Sequence, residues 1–346
     1  MKFKDFSLKL AEQDYHDLPV WSYSMIAKYA KEGFSAIATM HDKTEPTPSM
    51  EFGSLFDSII TKGKKTLDEY IVYDREVPAA EKRVLDALAA ITSCGTLAEV
   101  SEDAVNAATT NCAYYPKWGY DAKYKHLAEY ADYFAVARTG KKVVSKTDWD
   151  DAMEMACVFR QNGYLKDLFG TKNTADVEYV YQAQFQTTVT LPTGKEVAVK
   201  IMPDLLKINH KDKTVQPVDL KTSAMPAWGF KENFLKYRYD LQASVYTDVL
   251  RDVMSKSEDL NDYTILPYLF TDISRADKVP VTYVYDQTDP SQAAGFYYTV
   301  SDKSYQHKHW TTLLDEIVSY EEEHAVVPSY IATDKPNNIL DLIEKR

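Results

Sequence analysis

The feature that most constrains the fold is a change of apolar period near Ala175. Before it, apolar residues recur at helical spacing. Phe52, Leu55, Phe56, Ile59 and Ile60 follow the i, i+3, i+4, i+7, i+8 pattern of a helix with one buried face over Met50–Thr61. Further helices are expected over Met25–Lys31, capped by Ser22 or Ser24, and over Glu81–Ala90, Tyr120–Arg138 and Asp148–Asn162, the last capped by Thr147 and Asp150. After Ala175 the chain turns to β-branched and aromatic residues. Strands are expected over Glu178–Val189, Val197–Leu206 and Val215–Thr222, with a turn at Leu191–Lys195. A helix over Lys231–Ser255, strands near Ile265–Asp272 and Val279–Asp286, and a helix over Asp302–Glu323 complete the order. This predicts an α/β (α+β) chain with a central mixed sheet flanked by helices. One domain over 1–346 is expected. Its parts are a mainly helical stretch at 1–170, a core sheet and helix at 175–290, and a helix and tail at 291–346.

Two acidic positions fall on the strand-like part. Asp204 follows Met202-Pro203, and Asp219 opens Asp219-Leu220-Lys221. Strand side chains alternate, so Asp219 and Lys221 share a face while Leu220 points away. Val199, Ile201, Val218 and Leu220 are apolar, so both acids are expected on central strands. Carboxylates are costly there unless paired or metal-bound. Two carboxylates and an ammonium at one spot suit magnesium-dependent phosphodiester hydrolysis. The acids hold a hard cation, the cation acts on the phosphate and a water, and the lysine stabilises developing charge. A solvated, ion-paired edge strand is the plainer reading of the same tripeptide. Glu178 is either a third ligand oxygen or a surface residue at a strand start. Gln242 and Tyr246 lie four apart on one helical face, where they can bond a phosphate or hold the lysine. Core packing is the other reading of Tyr246.

Composition limits the alternatives. No run approaches about 18 apolar residues, so no membrane span is expected, and the start Met1-Lys2-Phe3-Lys4-Asp5-Phe6 has no signal-peptide run. Three cysteines suit a reducing cytosol rather than a disulfide framework. Net charge is −12, yet nine Lys/Arg face six Asp/Glu between Lys195 and Asp240. A locally basic cleft in an acidic chain is compatible with DNA handling. Lys231, Lys236 and Arg238 are candidate phosphate contacts.

The string Val199–Asp204, then Val218–Thr222, then Tyr239-Asp240-x-Gln242-Ala243-x-x-Tyr246 resembles the PD-(D/E)XK nuclease superfamily, and within it the RecE-type exodeoxyribonuclease VIII group of phages and prophages. Trp21–Ile26 resembles that group's opening serine-rich segment, and Met50–Asp57 its N-terminal helix. The resemblance spans residues 20–290, with 80–145 poorly matched. It implies a restriction-endonuclease-like core with helical N-terminal additions. It also implies Asp204, Asp219 and the Leu220 carbonyl as ligands of Mg²⁺, which Mn²⁺ can replace, and Lys221 as the catalytic lysine. Glu178 matches the acid that precedes the Pro-Asp strand, and Gln242 and Tyr246 match the helix motif. Where the family carries His on the N-terminal helix, this chain has Asp57, whose carboxylate can still reach a magnesium ion. The activity implied is 5′-to-3′ resection of duplex DNA ends by a ring-shaped homo-oligomer with a single-strand annealing partner, in the cytoplasm of a bacterium or phage-infected host. A catalytically silent DNA-binding module and an endonuclease are the alternatives.

Overall fold

Two units emerge, one formed by Met1–Thr47 with Val158–Arg346 and the other by Pro48–Cys157. The computed structural model describes residues 3, 7–42, 46–287, 297–300, 303–306 and 308–323. Two units replace the expected single domain because the helices after Pro48 close a core of their own, around Val84, Leu85, Leu88, Leu127 and Phe134. Helix makes up 51% and strand 20%, so the chain is mixed α/β with mixed sheets flanked by helices. No helix among the described residues is long and apolar enough to cross a membrane.

The first unit opens with α1 (Glu12–Asp17), β1 (Trp21–Ser22) and α2 (Tyr23–Glu32). α2 buries Ile26, Ala27 and Tyr29 and stops at Gly33, whose φ of 65° a glycine adopts without strain. The second unit contains α3 (Pro48–Thr61), α4 (Thr66–Glu69), β2 (Tyr70–Tyr73), α5 (Ala79–Ile91), α6 (Glu102–Asn111), α7 (Tyr120–Ala128), α8 (Ala131–Ala137), β3 (Lys142–Ser145) and most of α9 (Lys146–Gln161). β2 and β3 pair in parallel. α3 buries the apolar stripe read from its spacing. The helix expected over Tyr120–Arg138 is two helices, because Tyr130 leaves helical geometry (φ −119°, ψ 31°). α9 is capped by Ser145, whose Oγ accepts from Asp148 N at 3.0 Å, rather than by Thr147 and Asp150.

The first unit resumes with α10 (Gly163–Leu168), β4 (Val177–Tyr181), β5 (Phe185–Thr190), β6 (Glu196–Ile201), β7 (Leu205–Asn209) and β8 (Thr214–Ser223). Then come α11 (Phe230–Tyr237), α12 (Tyr239–Ser255), β9 (Thr264–Ile265), β10 (Tyr268–Ser274) and β11 (Pro280–Tyr285), followed by β12 (Tyr297–Val300), β13 (Lys303–Gln306) and α13 (Trp310–Glu323). The large sheet runs β11-β10-β8-β7-β4, with β9 also on β8. β10 and β9 are parallel to β8, and the other pairs are antiparallel. A second sheet runs β1-β6-β5.

In this unit three further expected elements are divided at residues that bear on the site's surroundings. The strand expected over Glu178–Val189 splits at Gln182, which takes φ 49°, so β4 joins the large sheet and β5 the small one. The strand expected over Val197–Leu206 splits at Met202-Pro203-Asp204, where the chain returns from β6 to β7. Pro203 has no N–H to give a ladder. Departure and return lie side by side, since Gln182 N donates to the Asp204 carbonyl at 3.0 Å. The helix expected over Lys231–Ser255 breaks at Arg238, whose φ of 58° ends α11 and turns the chain into α12. The last helix begins at Trp310 rather than Asp302, and Lys303–Gln306 is a strand.

α12 packs on β5 and β6 of the small sheet, and its Leu241, Val245, Val249 and Leu250 share one core with Leu206, Ile208 and Val215 of the large sheet. Burying each such side chain stabilises the fold by about 1.5–3 kcal/mol. That packing fixes the helix carrying Gln242 and Tyr246.

Candidate active site

β7 begins opposite Val218, so Asp204, the residue before it, stands beside Asp219 by continuation of the antiparallel register. Asp204 is therefore not a strand residue but the last residue of the crossing between sheets. Its Oδ2 accepts from Leu220 N at 2.7 Å. In a strand, a residue's N–H and C=O project to the same side. The Leu220 carbonyl thus also points to the side where β7 has ended, next to Asp204. One edge thereby presents two carboxylates and one carbonyl oxygen.

Asp219 is 2% exposed. Its Oδ1 accepts from Gln242 Nε2 at 2.5 Å, and its Oδ2 lies 2.7 Å from Lys221 Nζ. Lys221 shares Asp219's face, as the alternation requires, and its Nζ sits 4.6 Å from the centre of the Tyr239 ring. Its side chain is 21% exposed, so the ammonium is the more accessible partner of the pair. Burial pulls the Lys221 pKa down, but the charges of Asp219, Tyr239 and Asp204 outweigh it and the net shift is upward. Lys221 is a cation at neutral pH.

Tyrosines surround the pair. Tyr246 meets the rings of Tyr23 and Tyr268 edge-on, at 6.4 and 6.3 Å. Burial first, then the nearby acids, holds all three phenols well above their ordinary pKa. They stay protonated and can only donate or accept hydrogen bonds. Tyr23 uses its hydroxyl on the Tyr237 carbonyl at 2.7 Å. Among the described residues, the Gln242 Oε1 and the Tyr268 hydroxyl are buried with no hydrogen-bond partner.

Within the first unit, Glu178 and Arg238 require corrections. Glu178 pairs with Ile208, four residues along the strand direction from Asp204, or about 13 Å at the usual rise. Its Oε2 accepts from Phe3 N at 3.1 Å and lies 3.2 Å from His210 Nε2. Glu178 is thus a buried structural acid and not a third ligand. Arg238 is committed to Asp240 through two bonds of 2.9 and 3.0 Å, which removes it from the candidate phosphate contacts. Lys231 and Lys236 are exposed on α11. Asp57 belongs to the second unit, on α3, where its carbonyl accepts from Thr61 Oγ1 at 2.8 Å. The cluster described above is built by the first unit.

Asp272 was not expected at the site. It pairs with Lys221 across the parallel β8–β10 ladder, so the two side chains share a face. It is 1% exposed, accepts from Ser223 Oγ at 3.1 Å, and has its other oxygen unpartnered among the described residues. Burial raises its pKa to about 6, against lowering by the Ser223 hydrogen bond. The signal was an aspartate inside Tyr268–Ser274, a strand buried at every position.

Among the described residues, no three of His, Cys, Asp and Glu come together as metal ligands. The donors at hand are the Asp204 and Asp219 carboxylates and the Leu220 carbonyl. An all-oxygen set of this size fits Mg²⁺, which keeps several waters and takes one or two carboxylates. The unpartnered Gln242 Oε1 offers such waters an acceptor. No protein-family model matches the chain, and no curated protein matches it.

Proposed function

We propose that this chain is a Mg²⁺-dependent deoxyribonuclease of the PD-(D/E)XK type, acting as an exonuclease on duplex DNA ends. The observation that carries the proposal is the meeting of Asp204, Asp219 and Lys221 where β7 stops short of β8. The order of motifs along the chain, Pro203-Asp204, Asp219-Leu220-Lys221, Gln242 and Tyr246, supports the same reading.

Asp204, Asp219 and the Leu220 carbonyl would hold the ion. A bound Mg²⁺ or Mn²⁺ supplies the charge that polarises the scissile phosphate and acidifies a water. Gln242 fixes the rotation of the Asp219 carboxylate through its Nε2. Lys221, kept cationic by the acids, stabilises charge developing on the phosphate and orients the attacking water rather than acting as a base. The Tyr246 phenol, protonated throughout, is a hydrogen-bond donor beside them. Lys231 and Lys236 would contact phosphates without regard to sequence, which suits end resection. By resemblance, digestion runs 5′-to-3′ in a cytoplasmic ring of identical subunits that hands its product strand to an annealing protein.

One observation favours a silent DNA-binding module instead. One Asp219 oxygen is already hydrogen-bonded by Gln242 and the other ion-paired with Lys221, though with no hydrogen-bond partner among the described residues. Incubation with linear and with closed circular duplex DNA in Mg²⁺ separates the readings. Loss of the linear form alone is expected, attack on both forms indicates an endonuclease, and attack on neither indicates the silent module.

A further inference from the structure

Trp228 is 76% exposed, the most exposed of the large apolar side chains described, and it makes no ring contact among the described residues. Its neighbours are the reverse: Ala227, Gly229 and Phe230 are all buried. The segment is held from several sides. Ala227 N donates to Asp277 Oδ2 at 3.1 Å, the Ala227 carbonyl accepts from Tyr283 Oη at 2.6 Å, and Gly229 N donates to the Pro226 carbonyl at 2.8 Å. Phe230 stacks on Tyr283 with centroids 4.3 Å apart. A Cβ on Gly229 would come within 3.0 Å of Met225, so the loop is folded tightly on itself. This backbone is anchored, and the indole is displayed from it.

The display is tied to the site strand. Ser223, the last residue of β8, donates its Oγ to the Met225 carbonyl and to Asp272 Oδ2, at 3.0 and 3.1 Å. Asp272 is the ladder partner of Lys221. The neighbouring turn is tied to the same strand: Arg275 N donates to the Ser223 carbonyl at 2.8 Å. The Asp277 carboxylate there is occupied by the backbone amides of Ala227 and Val279. Lys231, the second residue of α11, is exposed. An indole on a rigid mount just beyond the end of the site strand, three residues before the exposed Lys231, has the parts of a single-strand platform. Bases stack on aromatic rings while cations follow the phosphates.

We infer that Trp228 is a stacking platform for an unpaired nucleobase of the DNA strand passing the Asp204–Asp219–Lys221 site. This rests on the DNA-processing reading, but its test does not need cleavage. Binding of a fluorescein-labelled oligothymidylate is measured in metal-free buffer for the wild type, Trp228→Ala and Trp228→Phe, with melting temperatures as a control on folding. Loss of one base–aromatic stack weakens affinity by about 5- to 150-fold. That loss is expected for Trp228→Ala, with most affinity kept in Trp228→Phe and little change for blunt duplex DNA. Equal affinity of wild type and Trp228→Ala, or no binding by the wild type, overturns the inference. The second outcome with intact cleavage removes the platform and leaves the nuclease reading standing. Trp228-dependent binding without any Mg²⁺-dependent cleavage leaves the platform standing and removes the nuclease reading.

Discussion

Lys221→Met tests how the site is held together. The substitution keeps the stem that packs near Tyr239 and removes the ammonium 2.7 Å from Asp219 Oδ2. Asp219 is 2% exposed, so its carboxylate is left with the Gln242 amide alone. Removing one partner of a fully buried pair costs about 3–5 kcal/mol. Exposed pairs contribute at most about 1 kcal/mol. Lys221 is 21% exposed, which places the expected cost between these limits, at about 2–3 kcal/mol. For a unit of this size each kcal/mol moves Tm by about 2–4 °C, so a drop of about 4–12 °C is expected in metal-free buffer at neutral pH. Two further arms make the measurement specific. Asp219→Asn/Lys221→Met, with both charges gone, recovers most of the loss. Mg²⁺ raises the Tm of Lys221→Met more than that of the wild type, because the ion meets an uncompensated carboxylate. A single variant melting within about 1 °C of the wild type would refute the reasoning.

Burial lifts the Asp272 carboxyl to about 6, above the unfolded value of about 3.9. Its contribution to stability is full below about pH 4 and lost as pH rises through 6, so Asp272→Asn should gain about 1–3 kcal/mol over wild type at pH 7.5; equal pH–Tm profiles would contradict this. Glu178→Gln keeps an acceptor for Phe3 N and should leave cleavage within about twofold, whereas a loss of about 10- to 100-fold would return Glu178 to the metal's surroundings. Arg238→Ala removes the two bonds to the buried Asp240 carboxylate and should lower stability by about 3 kcal/mol while leaving the salt dependence of DNA binding unchanged. Lys231→Ala should instead reduce that salt slope by about one unit, with little effect on Tm.

The sequence carried the helices well where one apolar face met one core. α3 and α5 lie within two or three residues of their expected bounds because Phe52–Ile60 and Val84–Leu88 leave no competing arrangement. It carried the breaks poorly. Gln182 and Arg238 adopt positive φ with no glycine to mark it: Gln182 is held by a long-range bond to Asp204 that no local pattern shows, and Arg238 by its own ion pair with Asp240, two residues on, at the α11–α12 turn. The pairing of Asp219 with Lys221 followed from alternation alone. The placement of Asp204 was reached for an incomplete reason, since the residue meets Asp219 by ending a crossing between two sheets rather than by lying on a neighbouring strand. Glu178 shares the right face but sits at the far end of β4, and strand pattern fixes face without fixing register. Asp272 was missed because β8 and β10 pair in parallel over a long connection, which places it beside Lys221 only in three dimensions.

The central claim is that Asp204, Asp219 and Lys221 form one cation-dependent site for phosphodiester hydrolysis. Release of acid-soluble nucleotides from linear duplex DNA, compared between wild type and Asp219→Asn at matched DNA occupancy and with Mg²⁺ or EDTA, tests it most directly. Release by the wild type in Mg²⁺ alone, with none from Asp219→Asn, is the expected result. Equal release by both proteins, or release by the wild type in EDTA, would contradict the account.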